Sequence, residues 1–205
     1  VPGATALQCD ACGGYHFDPC CVPEVVDLFQ QEPIDSGIGS LVLTALYPFV
    51  QQQPNIRYWT DDLEAVDRSC PIVDDLRIEF LGRRSQCIFD EDGTCLLEPT
   101  SVVDALDSIP DVAIQPDPLI AGLASQDVGY HRWKASLEHT PSKRLVLQVE
   151  LRYEPLLYEE RGQLLRLDLA SRLKSRSRRL SDAMANDLQL EVEFMRPGTL
   201  PAVIV

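Results

Sequence analysis

The chain has 205 residues, 45% of them hydrophobic, and a formal net charge of −14. That is enough apolar material for a real core, and an acidic body of this kind repels nucleic acid and anionic membrane surfaces at long range. No apolar run reaches the roughly 18 residues that a membrane span needs, so no membrane partner is expected. No basic segment followed by an apolar one opens the chain, which predicts a cytoplasmic or virion location. The charge is uneven: residues 1–128 carry 22 acids and 5 bases, residues 129–205 carry 10 acids and 13 bases.

The first feature in chain order is Cys9-x2-Cys12-x3-His16-x4-Cys21, with Cys20 as an alternate to Cys21. A Cys-x-x-Cys pair puts two thiolates on one tight turn, the usual first half of a tetrahedral zinc site. Gly13 and Gly14 can turn the backbone back and deliver His16 to the same point. The pattern is similar to a zinc knuckle, which has one more residue between the second Cys and the His. It predicts one zinc held by Cys9, Cys12, His16 and Cys21. Two other readings compete: a disulfide from Cys12 to Cys20 or Cys21, and free, half-buried thiols. Residues 1–22 are expected to be a Cys-rich loop, and residues 23–205 a single α+β domain with a possible sub-boundary near 110–128.

Pro23 to Phe29 opens like a helix, with proline first and an acid in the first turn. Residues 37–50 are the most apolar stretch, a buried helix or strand that periodicity does not separate, with Pro48 opposing a helix through its end. Ile56 to Thr60 reads as a short strand, and Thr60 as the N-cap of a helix over 61–67. Alternation predicts a strand at 75–81, then a hairpin over 86–97 turning at Asp90-Glu91-Asp92-Gly93. A short helix follows at 101–107, and a proline-rich connection at 110–128.

Alternation from His131 to Leu137 and from Leu145 to Tyr153, joined by a turn at 140–142, predicts an antiparallel hairpin with one buried face. A second hairpin is expected over 156–169, a helix from Ser171 to Asn186 with Leu173, Leu180 and Met184 on one side, and a last strand through Leu188, Leu190, Val192 and Phe194. The fold class is therefore α+β: an antiparallel sheet of hairpins with a few short helices and an N-terminal Cys-rich loop.

Arg172, Lys174, Arg176, Arg178 and Arg179 fall within eight residues. They form either a solvated face paired with the chain's own acids or a contact for a partner. The absence of interleaved aromatics argues against a nucleic-acid surface. There is no Gly-x-Ser-x-Gly, no P-loop and no His-Glu-x-x-His, and His131 and His139 read as core-edge histidines. The function expected is a non-catalytic assembly or interaction subunit, such as a virion, tail or filament component or an adaptor. It would self-associate head to tail through its charge asymmetry, helped by the apolar tail 200–205. The alternatives are a zinc-binding, nucleic-acid-associated protein and an enzyme whose site is assembled from distant residues.

Overall fold

The computed structural model describes residues 6–46, 56–116, 129–139 and 142–201. The fold is α+β, built largely from antiparallel hairpins with three α-helices among the described residues. The chain divides into two compact units, residues 1–87 and 88–205. The division falls before the hairpin that begins at residue 88.

In the first unit, β1 (Ala6–Gln8), β2 (Tyr15–Phe17), β3 (Cys21–Val26), β4 (Gly37–Ala45), β5 (Tyr58–Asp67) and β6 (Arg77–Arg83) make one antiparallel sheet, ordered β1-β2-β6-β5-β4-β3. The Cys-rich N-terminal region is present as expected and is built on short strands. It contributes the β1–β2 hairpin, which joins the sheet where Tyr15 pairs with Ile78 of β6.

The helix expected from Pro23 is instead β3, whose Val25 and Val26 are buried. Being an edge strand, β3 tolerates a residue without an N–H. The ambiguous apolar stretch resolves as the strand β4, and Pro48 lies outside the described residues. Gly39 is required there by crowding, because a Cβ would lie 2.2 Å from the Val26 carbonyl oxygen.

The strand and capped helix expected over 56–67 are one strand, β5. The Thr60 hydroxyl does accept a backbone N–H, from Asp62 at 3.1 Å, and donates to the Leu41 carbonyl at 3.1 Å. Asp61 takes φ 65° beside it. The same side-chain chemistry that caps a helix here holds an irregularity in a strand. One core cluster of this unit is Cys21, Val25, Leu41, Leu43, Val66 and Ile78, and Val26, Val42, Leu63 and Leu81 are buried outside it.

In the second unit, β7 (Ile88–Phe89) and β8 (Cys95–Leu97) form the expected hairpin, with Gly93 at φ 82° in its turn. Asp90 makes an ion pair with Lys143, which with the Glu91 N–H holds its carboxyl below the usual range. Next come α1 (Pro99–Leu106), then β9 (Ile114–Pro116) paired with β10 (Gly129–His131). The rest of the proline-rich connection, 117–128, lies outside the described residues, as do 140–141 of the expected turn.

β11 (Trp133–Glu138) and β12 (Arg144–Glu150) pair antiparallel as expected, and Leu145, Leu147, Val149 and Leu151 are fully buried. β13 (Gln189–Met195) pairs parallel to β12. The crossover between them is helical. The second hairpin expected over 156–169 is a 3-10 turn leading into α2 (Glu159–Arg176), where Leu165, Leu169 and Leu173 recur every four residues and face the core.

The helix expected to run on to Asn186 breaks at Ser177. Its hydroxyl oxygen accepts the Leu180 N–H at 3.3 Å and starts α3 (Arg178–Ala185). Ser177 Oγ also donates to Glu98 at 3.2 Å, and Ser101 Oγ donates to the same carboxylate at 2.8 Å. Buried Glu150 accepts the N–H groups of Gly198 (2.8 Å) and Leu200 (3.0 Å), and Arg132 Nε lies 2.9 Å from it. Burial pushes this carboxyl up, but those N–H groups and the guanidinium hold it below its ordinary range.

Candidate metal centre

Cys9 and Cys12 lie on the turn between β1 and β2. The Gly13 N–H donates to the Cys9 carbonyl and the Cys9 N–H to the Gly14 carbonyl, both at 2.8 Å. Gly13 takes φ 71°, a conformation that favours glycine. His16 sits in β2. Cys70 sits in the connection between β5 and β6, and because β2 pairs with β6 that connection reaches the β1–β2 turn.

Arg77 of β6 fastens the two loops together. Its Nε donates to the Cys12 carbonyl at 3.2 Å and its Nη1 to Asp67 at 3.0 Å. A Cβ on Gly14 would lie 2.5 Å from the Arg77 Cγ, so glycine lets that side chain cross the turn.

The ligand atoms of Cys9, Cys12, His16 and Cys70 all lie within 4.8 Å of one another, so the cluster could hold a metal ion. Cys9 Sγ is 3.9 Å from Cys70 Sγ, and Cys12 Sγ is 3.5 Å from His16 Nε2. A tetrahedral zinc with Zn–S near 2.3 Å and Zn–N near 2.05 Å has edges of about 3.8 Å between sulfurs and about 3.6 Å between sulfur and nitrogen. The two short edges of the cluster match those lengths. The N–H groups of Cys12 and Ala11 face the Cys9 sulfur and hold its pKa below the ordinary thiol value, while burial raises that of Cys12. A metal ion overrides the second effect, because a coordinated thiol is deprotonated outright. His16 Nδ1 is buried without a hydrogen-bond partner among the described residues, which leaves Nε2 as the nitrogen aimed at the sulfurs.

Three of the four expected ligands meet here, and the fourth position goes to Cys70 rather than Cys21 or Cys20. Cys21 is 6% exposed and packs with Val25 and Leu43 in the sheet core. Burial pushes its thiol up to about 11. Cys20 is half-buried against the same core cluster. Cys70 escapes a search by spacing because it stands far along the chain. Its signal is weaker: a cysteine next to Pro71, in a connection between two neighbouring strands.

Four of the five clustered cations have acidic partners within the chain. Arg172 bonds Asp168 at 2.8 Å, and Arg176 reaches Asp104 at 3.3 Å. Arg178 lies 3.7 Å from Asp182, and Arg179 lies 3.4 Å from Glu98. Lys174 makes no such pair among the described residues. His131 Nε2 lies 2.7 Å from Asp107, and His139 Nδ1 lies 3.4 Å from Glu91.

No family profile matches the sequence, and no curated protein matches it. Solved structures do share the fold. An open conformation of 2-hydroxyisobutyryl-CoA ligase, in complex with 2-HIB-AMP and CoA, aligns with a TM-score of 0.54 at 15% identity, over 91% of this chain and 35% of that one. The anthranilate CoA ligase AuaEII, in complex with anthranoyl-AMP, aligns with a TM-score of 0.54 at 12% identity, over 93% of this chain and 32% of that one. O-succinylbenzoate coenzyme A synthetase from Bacillus subtilis, in complex with AMP, gives 0.50 at 16% identity, over 90% and 31%. The chain thus spans about a third of the length of the solved structures it matches.

Proposed function

We propose that this chain is a zinc-stapled, non-catalytic portion of an acyl-activating protein of the CoA-ligase kind. The observation that carries the staple is the convergence of Cys9, Cys12, His16 and Cys70 within 4.8 Å. Three sulfurs and one imidazole nitrogen this close together suit zinc. Four protein ligands leave no open position for a substrate, as in structural rather than catalytic zinc sites. The ion would hold the β1–β2 turn against the β5–β6 connection, an added link beside the unit's six-residue apolar cluster.

The ligase assignment is supported by a likeness that covers nine-tenths of the chain and recurs in ligases whose acyl groups differ. A fold shared between a 2-hydroxyisobutyryl and an anthranoyl enzyme is not built around one acyl pocket. Adenylation needs groups to hold ATP and the carboxylate, and this chain corresponds to about a third of such a protein. We assign part of that set to the remainder, whether on the same polypeptide or on another, so that this chain keeps ligand contacts without the complete catalytic set.

Zinc is tested by elemental analysis and X-ray absorption of the purified protein, with one zinc per chain, bound by three sulfurs and one nitrogen, expected. Protein purified without zinc, and failing to take it up, would remove the staple. The ligase reading is tested by calorimetry with CoA and with a hydrolysis-resistant acyl-adenylate analogue, alongside ATP–pyrophosphate exchange. Binding of either ligand without exchange is the expected result. Exchange by the chain alone would make it an enzyme, and binding of neither ligand would leave the zinc staple without the ligase assignment.

A further inference from the structure

The outer face of α2 is unusual for a solvated helix. Leu164 is 70% and Leu167 71% exposed, and the turn before the helix presents Leu156 and Leu157 at 77% and 74%. Leu165, Leu169 and Leu173 already fill the core side, so these leucines are surplus to folding. The groove alongside, between α2 and β13, offers a less open docking edge. Arg166 Nε donates to the Val192 carbonyl at 3.2 Å, and its guanidinium sits 5.4 Å over the Phe194 ring, which closes the middle of that strand edge.

Glu160, Leu167 and Lys174 follow one another at intervals of seven, and Gln163 and Ala170 share the same spacing. Residues seven apart lie on one seam of a helix, the pattern that lets two helices pack along their length. Glu160, Gln163, Leu164, Ser171 and Lys174 are exposed, and neither Glu160 nor Lys174 makes an ion pair among the described residues. Among the described residues, Lys174 is the cation of the basic stretch left over when its neighbours bind acids of the same chain.

We propose that α2 is a self-association surface on which a second copy of this chain docks its own α2 in antiparallel register about a twofold axis at Leu167. In that register Leu167 meets the other copy's Leu167, and Leu164 meets Ala170. Gln163 meets Ser171, and Glu160 meets Lys174. Each apolar group finds an apolar or small partner, and each terminal charge finds its opposite. A parallel pairing would set Glu160 against Glu160 and Lys174 against Lys174, so charge selects the antiparallel form. The surface is self-complementary, as a twofold contact must be, and the assembly closes at two copies. This differs from head-to-tail association through the arginines, which acids of the same chain already occupy.

The test is sedimentation across a concentration series, with thermal melts of every variant. The wild type should sediment as a concentration-dependent dimer. Leu167→Asp should melt like the wild type and raise the dissociation constant at least about 30-fold. Glu160→Lys and Lys174→Glu should each weaken the dimer, and the double swap should restore it. A wild type that remains monomeric at every concentration overturns the proposal, as does Leu167→Asp dimerising unchanged. Failure of the double swap to recover overturns the antiparallel register, and species growing beyond two copies point instead to head-to-tail assembly. Should Leu167→Asp fail to fold, the charge swaps decide the matter alone.

Discussion

The two units solve the same problem with different means. The second unit buries sixteen apolar residues in one continuous cluster between the β11-β12-β13 sheet and its helices. The first unit's cluster holds six among the described residues, with Val26, Val42, Leu63 and Leu81 buried outside it, and Tyr58, Trp59, Phe80 and other large apolar residues are exposed. Hydrophobic stabilisation scales with the area removed from water, so the first unit's cluster contributes less than the larger cluster of the second. It has instead a four-ligand cluster at one end of its sheet. A small core and a metal site recur together in proteins for this reason.

The sharpest way to break this contrast is Leu147→Asp, which puts an unpaired charge into the fully buried centre of the second unit. The cost should be at least about 4 kcal/mol, enough to unfold that unit, while zinc content stays unchanged. Loss of zinc in the same variant would mean that the two units unfold together.

Cys70→Ser should strip the metal and lower the stability of the first unit by at least about 4 kcal/mol, as should a strong chelator. Amide exchange should localise the loss to residues 6–87 and spare β12. Cys21→Ser should keep zinc bound, and a loss of zinc there would return the fourth ligand to Cys21.

Glu64 gives a pH handle on the first unit alone. It is 3% exposed with one carboxyl oxygen unpartnered, and burial, then the nearby Asp62 carboxylate, raises its pKa to about 8. The folded state thus holds a proton that the unfolded chain releases above its ordinary value near 4.3. The first unit should be most stable at acidic pH with respect to this group. It should lose on the order of 3 kcal/mol as pH rises from about 4.5 to about 8, and change little beyond. Glu64→Gln should flatten that slope in denaturant titrations across pH. An unchanged slope would show the carboxylate to be solvated.

The smallest effect is expected at Gln148, on the same strand as Leu147 but half-exposed, where Nε2 donates to Glu193 at 2.8 Å. Gln148→Asp sets two like charges side by side and should cost about 1 kcal/mol. Equal melting shifts for Leu147→Asp and Gln148→Asp would refute the burial pattern of β12.

What is legible in the sequence follows local rules. Alternation identifies the β11–β12 hairpin and the buried face of β12, since a period of two has one structural meaning in a half-buried strand. The turn at Asp90–Gly93 carries its own chemistry. Misreadings arise where one residue type serves two ends. Pro23 suits the first turn of a helix and equally an edge strand. Thr60 offers the same hydroxyl to a helix N-terminus and to an irregular strand. Leu156 to Leu169 resembles a hairpin because exposed Leu164 and Leu167 blur the helical stripe. At the candidate metal centre, three of the converging residues are readable because a short stretch of chain holds them. Cys70 is not, since its proximity is created by strand pairing that spacing does not encode.

The parallel pairing of β12 with β13 has a consequence for how the chain is made. Among the described residues every strand of the first unit's sheet lies before residue 88, so that sheet and its candidate metal site can assemble while synthesis continues. The second unit must wait. β12 completes at Glu150, but its neighbour β13 ends only at Met195. At ribosomal rates of 5–20 residues per second, translating the intervening stretch of about 45 residues takes roughly 2–9 s. For that interval one edge of β12, rich in leucine and valine, emerges without its partner strand, and this is the stage at which a chaperone has most to do.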